Sequence, residues 1–491
     1  MQHNSPKLDR RTFLKTSALA AASVSLFPGC STISHTPTAK VRGANEDIRY
    51  AVIGFKGRGA DHIDGMHKVK GTRMVALCDV DSEVLNKEVA KWRSKGEQVE
   101  GYTDIRNLVA NPDIDVVTIA TPNHWHSLAA IWALQMGKDV YVEKPVSHNV
   151  WEGRQLVKAA RKYGRIVQAG TQSRSSTGIA EAIAWVHQGN IGKIIRARGL
   201  CYKRRPSIGK VDGPQPTPPG VDYDLWCGPA PKEPLMRKRL HYDWHWVWPT
   251  GNGDLGNQGI HQMDLCRWAL GESKLSPRVI TVGGRLGYID DGTTPNSEIV
   301  FHDYPAAPLI FEVRGLPAGN GSDKMDVYRG ASIGIVVDCE GGSMMMNDYT
   351  GATILDKSGQ KIKQFEGAQS HFQNFVDAVR TRRMSDLKAE VLEGHLSSAL
   401  CHTGNISYRL GKPLPPSECR NATRSNKDLA EALGRVEEHL GANGVDLLKT
   451  PLTLGPALTM DPDTERFTNN PAANEMLSRN YRSPFVVPAK V

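Results

Sequence analysis

Ile48-Arg-Tyr-Ala-Val-Ile-Gly54-Phe-Lys-Gly-Arg-Gly59 is a short, β-branched apolar run that ends among three glycines, and Ala60 to Lys68 continues it as a helix. Glycines at such a junction let the chain turn tightly. They bring backbone N–H groups, with the positive end of the helix, against a pyrophosphate. Gly54, Phe55, Lys56, Gly57, Arg58 and Gly59 are therefore candidate nucleotide contacts. Lys56 stands at the middle glycine of the G-x-G-x-x-G pattern, where its ammonium offers charge neutralisation in place of close backbone approach. A glycine turn alone is equally an ordinary strand-to-helix connection. Met74-Val-Ala-Leu-Cys-Asp79 adds a second buried strand, whose terminal acid lies twenty residues beyond Gly59. A carboxylate there can hold ribose hydroxyls and favours NAD over NADP.

The strand-then-helix rhythm continues through Ile114–Ala120, a loop Thr121-Pro-Asn-His-Trp-His126, a helix from Ser127 to Met136 stopped by Gly137, and a fourth strand from Asp139 to Glu143. Such alternation implies a parallel sheet with helices on both faces and ligands at the carboxyl ends of its strands. Asp79, Thr121, Asn123, His124 and Lys144 fall along that edge. Glu143-Lys144-Pro145 could be a solvated turn, since Pro145 by itself only forbids helical geometry at Lys144. Its place after a buried strand favours a functional lysine.

Five segments together carry a family resemblance: the glycine turn, the acid-ended second strand, Glu143-Lys144-Pro145, Ile166-Val-Gln-Ala-Gly-Thr-Gln172, and Gly253-Asp-Leu-Gly-Asn-Gln-Gly-Ile-His-Gln-Met-Asp264. The chain resembles the Gfo/Idh/MocA nicotinamide-dependent sugar oxidoreductases over roughly residues 48 to 415. The resemblance implies an α/β chain: a Rossmann doubly wound parallel sheet at 47–170 and an α+β domain with an open, mainly antiparallel sheet at 171–415. It further implies a cleft between them for NAD and a carbohydrate or polyol. Lys144 matches the family's catalytic lysine and His261 its catalytic histidine. Inositol-type members place an aspartate four residues before that histidine, where this chain has Asn257, whose amide can position a group but not shuttle a proton.

Oxidising a secondary alcohol needs a base for the hydroxyl proton, and a lysine desolvated between two domains has a lowered pKa. Lys144 can act as that base, or as a donor to the oxygen while His261 takes the proton. Asp264, one turn beyond His261, either touches substrate or forms a helix-face salt bridge. His241-Tyr-Asp-Trp244-His245-Trp-Val-Trp248 holds three of the ten tryptophans, and stands as a sugar-stacking platform or as a buried aromatic wedge. Arg174, Tyr202 and Lys203 follow the domain crossover and are further substrate-contact candidates. Between Pro206 and Pro234 eight prolines exclude regular structure and point to an ordered flap over the cleft or an arm on a neighbouring subunit.

Downstream, Ser297–Phe301, Leu309–Arg314 and Ile333–Asp338 read as strands, and His371–Arg380, Leu392–Leu410 and Lys427–Leu440 as helices. The extension 416–491 is expected to wrap on the surface or on a partner subunit. At the other end, Asp9-Arg10-Arg11-Thr-Phe-Leu-Lys15 and the apolar run to Phe27 read as a twin-arginine export signal over 1–29, with Cys30 a candidate lipid anchor and 30–46 a polar tether. This predicts a periplasmic or membrane-anchored protein, exported folded with its nicotinamide tightly held. Net charge is +9, and falls to +6 without residues 1–29; the remainder is spread out, which argues against nucleic-acid binding. No cysteine or histidine spacing points to a metal. A homo-oligomer is expected.

A cofactor that cannot exchange must return its hydride, to a second substrate or to the same molecule. The resemblance covers both outcomes, since the family includes a periplasmic glucose-fructose oxidoreductase and NAD-dependent glycosidases. A binding protein without catalysis is the third reading, favoured by Lys56 and Asn257 and opposed by the retention of Lys144 and His261.

Overall fold

The computed structural model describes residues 46–491. The twin-arginine segment, Cys30 and all but the last residue of the tether lie outside them. Strands β1 (Ile48–Ile53), β2 (Thr72–Cys78), β3 (Glu100–Tyr102), β4 (Val116–Ile119), β5 (Asp139–Val142) and β6 (Val167–Ala169) form one sheet in the order β3-β2-β1-β4-β5-β6, parallel at every pairing. Every residue of β4 and β5 is buried, which is why they read as continuous apolar runs rather than alternating ones. Strand order reverses between β1 and β4, and a crevice forms at the carboxyl ends where it does. The short β3 corrects the sequence count: Lys144 follows the fifth strand, not the fourth. Glu100-Gly-Tyr102 has no buried residue, so it gave no apolar signal.

The second sheet comprises β7 (Ile194–Tyr202), β8 (Arg278–Gly284), β9 (Ser297–His302), β10 (Leu309–Arg314), β11 (Ile333–Cys339), β12 (Gly342–Met346), β13 (Gly351–Asp356), β14 (Lys361–Glu366), β15 (Lys412–Leu414) and β16 (Leu452–Leu454). Its order is β14-β13-β12-β11-β7-β10-β9-β8-β16-β15, with β17 (Leu458–Asp461) also on β8 and β18 (Arg466–Phe467) on β17. Within this second sheet, among the described residues, only the β7–β10 pairing is parallel. Cys201, Phe311 and Val337 face helices Thr177–His187, Gly259–Leu270 and Val391–Arg409. On the other face, Val282, Phe301 and Ile310 pack under Leu429, Leu433 and Val436 of helix Lys427–Ala442.

Two irregular segments join the halves. The proline-rich 206–234 stretch contains the short helix Tyr223–Cys227 and lies on this chain's own parallel-sheet half: the Ser82 N–H donates to the Gly220 carbonyl (3.0 Å), and Trp125 Nε1 donates to the Leu225 carbonyl (3.0 Å). Gly228 is required beneath it, because its φ is +48° and a Cβ would stand 2.2 Å from the Trp125 ring. The C-terminal tail does more than wrap the surface. Phe485 and Val487 enter the core beside Trp125 and Trp132, Gln155 Nε2 donates to the Pro488 and Ala489 carbonyls (2.8 Å each), and Arg482 donates to Asp224 in the proline-rich strap (2.8 Å).

Candidate active site

A cavity of about 310 Å³ opens at the crevice. The glycine turn forms one wall, Asp79, Thr121 and Lys144 the strand-end edge, Leu225 and Trp226 the strap side, and Trp244, His245 and Asn257 the wall opposite the turn. The turn closes only with glycine: a Cβ at Gly59 would lie 1.9 Å from the Gly54 carbonyl oxygen, and Gly54 has φ +76°. A Cβ at Gly57 would meet nothing within 4 Å. Helix Arg58–His67 begins there with no side-chain cap, leaving first-turn N–H groups for an anion. The Asp79 carboxylate accepts from the Phe55 N–H (3.2 Å) and the Asp81 N–H (3.0 Å), and burial pushes its pKa up to about 6. Anion-ready amides at one end and a hydroxyl-accepting acid at the other fit a dinucleotide. Lys56 does not serve the phosphate end. Its Nζ is 3.5 Å from Asp81 Oδ2, near Asp79, while Asp81 also meets His241 Nε2 at 2.9 Å.

Glu143 is a buried hub. Its Oε1 receives Arg58 Nε (2.9 Å), His62 Nε2 (3.1 Å) and Gln172 Nε2 (3.0 Å). Burial alone would raise its pKa, but the His62 hydrogen bond and the Arg58 charge hold it well below the usual carboxylate range. A Cβ on Gly170 would come within 2.7 Å of that carboxylate, so the 166–172 segment serves the hub through both Gly170 and Gln172. Lys144 is thereby anchored at its backbone while its Nζ crosses to the second domain and donates to the Asn257 carbonyl (3.0 Å). Desolvation lowers the Lys144 pKa against the opposing pull of Glu143. Asn257 meets Lys144 through its backbone carbonyl, while its amide reaches Asp254 Oδ1 (3.5 Å). Helix Gly253–Asn257 is itself held by Arg205, whose guanidinium grips Asp254 with two bonds (2.7 and 2.8 Å).

His261 sits one turn behind Asn257 and outside the cavity lining, with Tyr349's ring edge-on at 5.6 Å. Gln258 joins Tyr349 (2.6 Å) to Lys203 Nζ (3.0 Å) in the same group. Burial, then the Lys144 charge, push His261 down to about 3, and its Nδ1 is buried without a hydrogen-bond partner. The imidazole is neutral at ordinary pH. His245, which does line the cavity, has Nδ1 2.6 Å from the Tyr242 carbonyl and a ring stacked on Trp244 at 3.6 Å. That contact fixes the proton on Nδ1 and leaves Nε2 as an acceptor.

Besides His261, the expected site residues Gly59, His124, Arg174, Tyr202, Lys203 and Asp264 do not line the cavity. His124 is buried with Nε2 2.9 Å from the Trp226 carbonyl, so it pins the strap rather than the nucleotide. Arg174 and Asp264 neutralise one another at 2.8 Å, 7% and 1% exposed, beside the indole of Trp268; the close partner of Asp264 thus comes from outside its helix, and the helix-face neighbour Arg267 stands at 3.8 Å. Tyr202 faces away from the cleft and donates to Glu312 (2.6 Å) beneath helix Lys427–Ala442. The aromatic run divides: Trp244 and His245 face the cavity, whereas Trp248 packs near Tyr408 and Arg409. Asn123 lines the cavity but spends its amide on Asn252 Oδ1 (2.9 Å). Arg205 has no role in the sequence reading, while Asp254 and His241 enter it only as members of longer segments. Trp226 lies in the strap, which the proline density marked.

Residues 48–171 match the model of an oxidoreductase family with an NAD-binding Rossmann fold, and residues 186–311 match that family's C-terminal alpha/beta domain. The chain belongs to the Gfo/Idh/MocA family. Gfo/Idh/MocA relatives include a protein of Saccharopolyspora erythraea named as a glycosyl hydrolase family 109 protein, 30% identical over 273 residues, which are 52% of this chain and 53% of that one. The chain therefore spans about half the length of that curated relative. Among solved structures of the same fold are the WlbA dehydrogenase of Bordetella pertussis in complex with NADH and UDP-GlcNAcA (TM-score 0.54, 18% identity, 73% of this chain and 95% of that one) and a levoglucosan dehydrogenase in complex with NADH and levoglucosan (TM-score 0.55, 16% identity, 72% and 95%).

Proposed function

We propose that this Gfo/Idh/MocA protein is an NAD-dependent oxidoreductase acting on a secondary hydroxyl of a sugar, glycoside or cyclic polyol. The observation that carries the reading is Lys144, a desolvated amine aimed across the cleft at the Asn257 carbonyl from the same carboxyl edge of the sheet as the glycine turn and Asp79. Gly57, Gly59 and Asp79 would hold the cofactor, which when bound supplies the hydride acceptor. Lys144, in its amine form, takes the proton from the substrate hydroxyl. Glu143 remains ionised under Arg58 and His62 and fixes the Lys144 backbone. His245 Nε2 is free to accept a hydroxyl, and Trp244 offers a flat wall for a sugar ring. The nicotinamide and sugar ligands named for the WlbA and levoglucosan enzymes support this substrate class.

The glycosyl hydrolase name of the Saccharopolyspora relative favours a second reading, in which the same Lys144 chemistry ends in cleavage of a glycosidic bond with no net change in the cofactor. The two are separated by mixing the protein anaerobically with sugars, inositols and aryl glycosides while following reduced nicotinamide absorbance and free aglycone together. Net reduction supports the dehydrogenase. Aglycone without reduction supports the glycosidase, and neither signal with any substrate overturns both. From residues 9–30 of the sequence we also propose twin-arginine export, with Cys30 a candidate lipid anchor, to a compartment where NAD is carried in with the folded chain as a homo-oligomer.

A further inference from the structure

A second cavity, about 330 Å³, is assembled from the loop after β5, the end of the aromatic run, helix Val391–Arg409 and the C-terminal tail. Its floor is polar and built. Asn252, Asn405 and His402 are each no more than 4% exposed. Asn405 Nδ2 donates to the Asn252 carbonyl (3.0 Å), while Asn405 Oδ1 is buried with no hydrogen-bond partner. His402 lies 3.3 Å from Ser147 Oγ and 3.5 Å from Asn252 Nδ2, and burial pushes it down to about 3, so it is a neutral imidazole. Water alone leaves such an acceptor satisfied only if the cavity is wet. Its other groups show what else would fill it.

Two guanidiniums converge on the opening. Arg479 donates through Nη1 to the Pro249 carbonyl (3.0 Å) and sets Nε 3.4 Å from Glu152, leaving Nη2 buried and unpartnered. Arg409 lies over the Trp248 ring at 5.1 Å and enters no ion pair among those found for the described residues. Partial desolvation and the charge of Arg479 both lower the Arg409 pKa, so the two cations repel across the space. Glu475 is the one carboxylate lining the cavity, and it is solvent-exposed. An entering anion relieves this repulsion, and Trp248 with Met476 gives it an apolar wall.

We infer that this cavity binds a small hydroxylated carboxylate of hexuronic-acid size, its carboxylate between Arg409 and Arg479 and a hydroxyl donating to Asn405 Oδ1. The volume sits near the ~300 Å³ lower end of small-molecule sites, enough for one monosaccharide. The site is separate from the nucleotide cleft but touches it: Asn252 lines this cavity, and its Oδ1 accepts from Asn123 of the cleft wall. It does not rest on the oxidoreductase reading.

The test is calorimetric titration of the NAD-loaded full chain with D-glucuronate, and with D-glucose as the neutral control. The expected result is one saturable glucuronate site, at least tenfold weaker in Arg409→Met, insensitive to Trp244→Ala in the other cleft, and absent for glucose at the same concentrations. Arg409 is at the rim and solvent-exposed, so the variant should fold; an unchanged thermal midpoint checks this, and Arg409→Lys should retain part of the affinity. Absence of saturable glucuronate binding, equal binding by Arg409→Met, or loss of binding in Trp244→Ala would each overturn the assignment.

Discussion

Asp79→Asn should strengthen the empty protein while weakening its grip on the cofactor. Burial pushes the Asp79 carboxyl from 3.8 to about 6, more than the Asp81 and Phe55 N–H groups and the half-exposed Lys56 offset. At about 1.4 kcal/mol per pKa unit that gap amounts to about 3 kcal/mol. The sign follows from proton counting: between 3.8 and 6 the folded protein keeps a proton that the unfolded chain has released, so stability falls as pH rises through that window and stays lower above it. Asparagine abolishes the titration. It accepts with one oxygen where the carboxylate uses two for the Phe55 and Asp81 N–H groups, returning about 1 kcal/mol, so the net gain near neutral pH is about 2 kcal/mol. A ribose hydroxyl on the charged carboxylate is worth about 1.5–3 kcal/mol, hence a Kd for NAD raised roughly 10- to 150-fold. Urea unfolding of the nucleotide-free variant at acid and neutral pH, with calorimetric NAD titration, measures both effects. Wild-type NAD affinity in Asp79→Asn would refute the ribose role, and an unchanged pH slope of stability would refute the electrostatic account.

Glu298 is wholly buried with neither oxygen hydrogen-bonded, and burial raises it to about 8, so stability should fall with pH from 4.5 towards 8; Glu298→Gln should remove about 3 kcal/mol of the loss between pH 4.5 and 7, read as the difference between the two unfolding curves. Breaking the buried Arg174–Asp264 pair by Asp264→Asn should cost about 3–5 kcal/mol, checked by denaturant unfolding, and leave the KM of any surviving folded enzyme near wild type, because neither residue lines the cleft. Phe485→Ala should cost about 3–5 kcal/mol by emptying the space against Trp125 and Trp132; a fully stable variant would show that the tail is not part of the core.

Much of the cofactor half was legible because its determinants are local. A β-branched strand, a glycine turn and a strand-end acid each declare themselves within a few residues, as does Glu143-Lys144-Pro145. What stayed hidden depends on which way a side chain points or on what lies a hundred residues away. Tyr202 and Cys201 are chain neighbours on β7, and the pleat sends one to the buried charges under helix Lys427–Ala442 and the other to the inner core. His124 looked like an edge residue, and it is, but the Trp226 carbonyl claims its ring from 102 positions on. Arg174 and Asp264 satisfied each other across 90 positions, which no periodicity announces. Phe485 stood in an irregular segment of the tail, and only its place beside Trp125 explains it.

The central claim is that Lys144 performs chemistry beside a cofactor that other residues hold. The most direct measurement is Lys144→Met, assayed for calorimetric NAD binding and for turnover of the best substrate from the panel across pH. The account predicts NAD affinity close to wild type and turnover reduced at least a thousandfold, whereas wild-type turnover should rise with pH to a limb set by a lysine below its ordinary 10.5 and show no limb from His261, which is neutral above about 3. Turnover by Lys144→Met within a few-fold of wild type would contradict it.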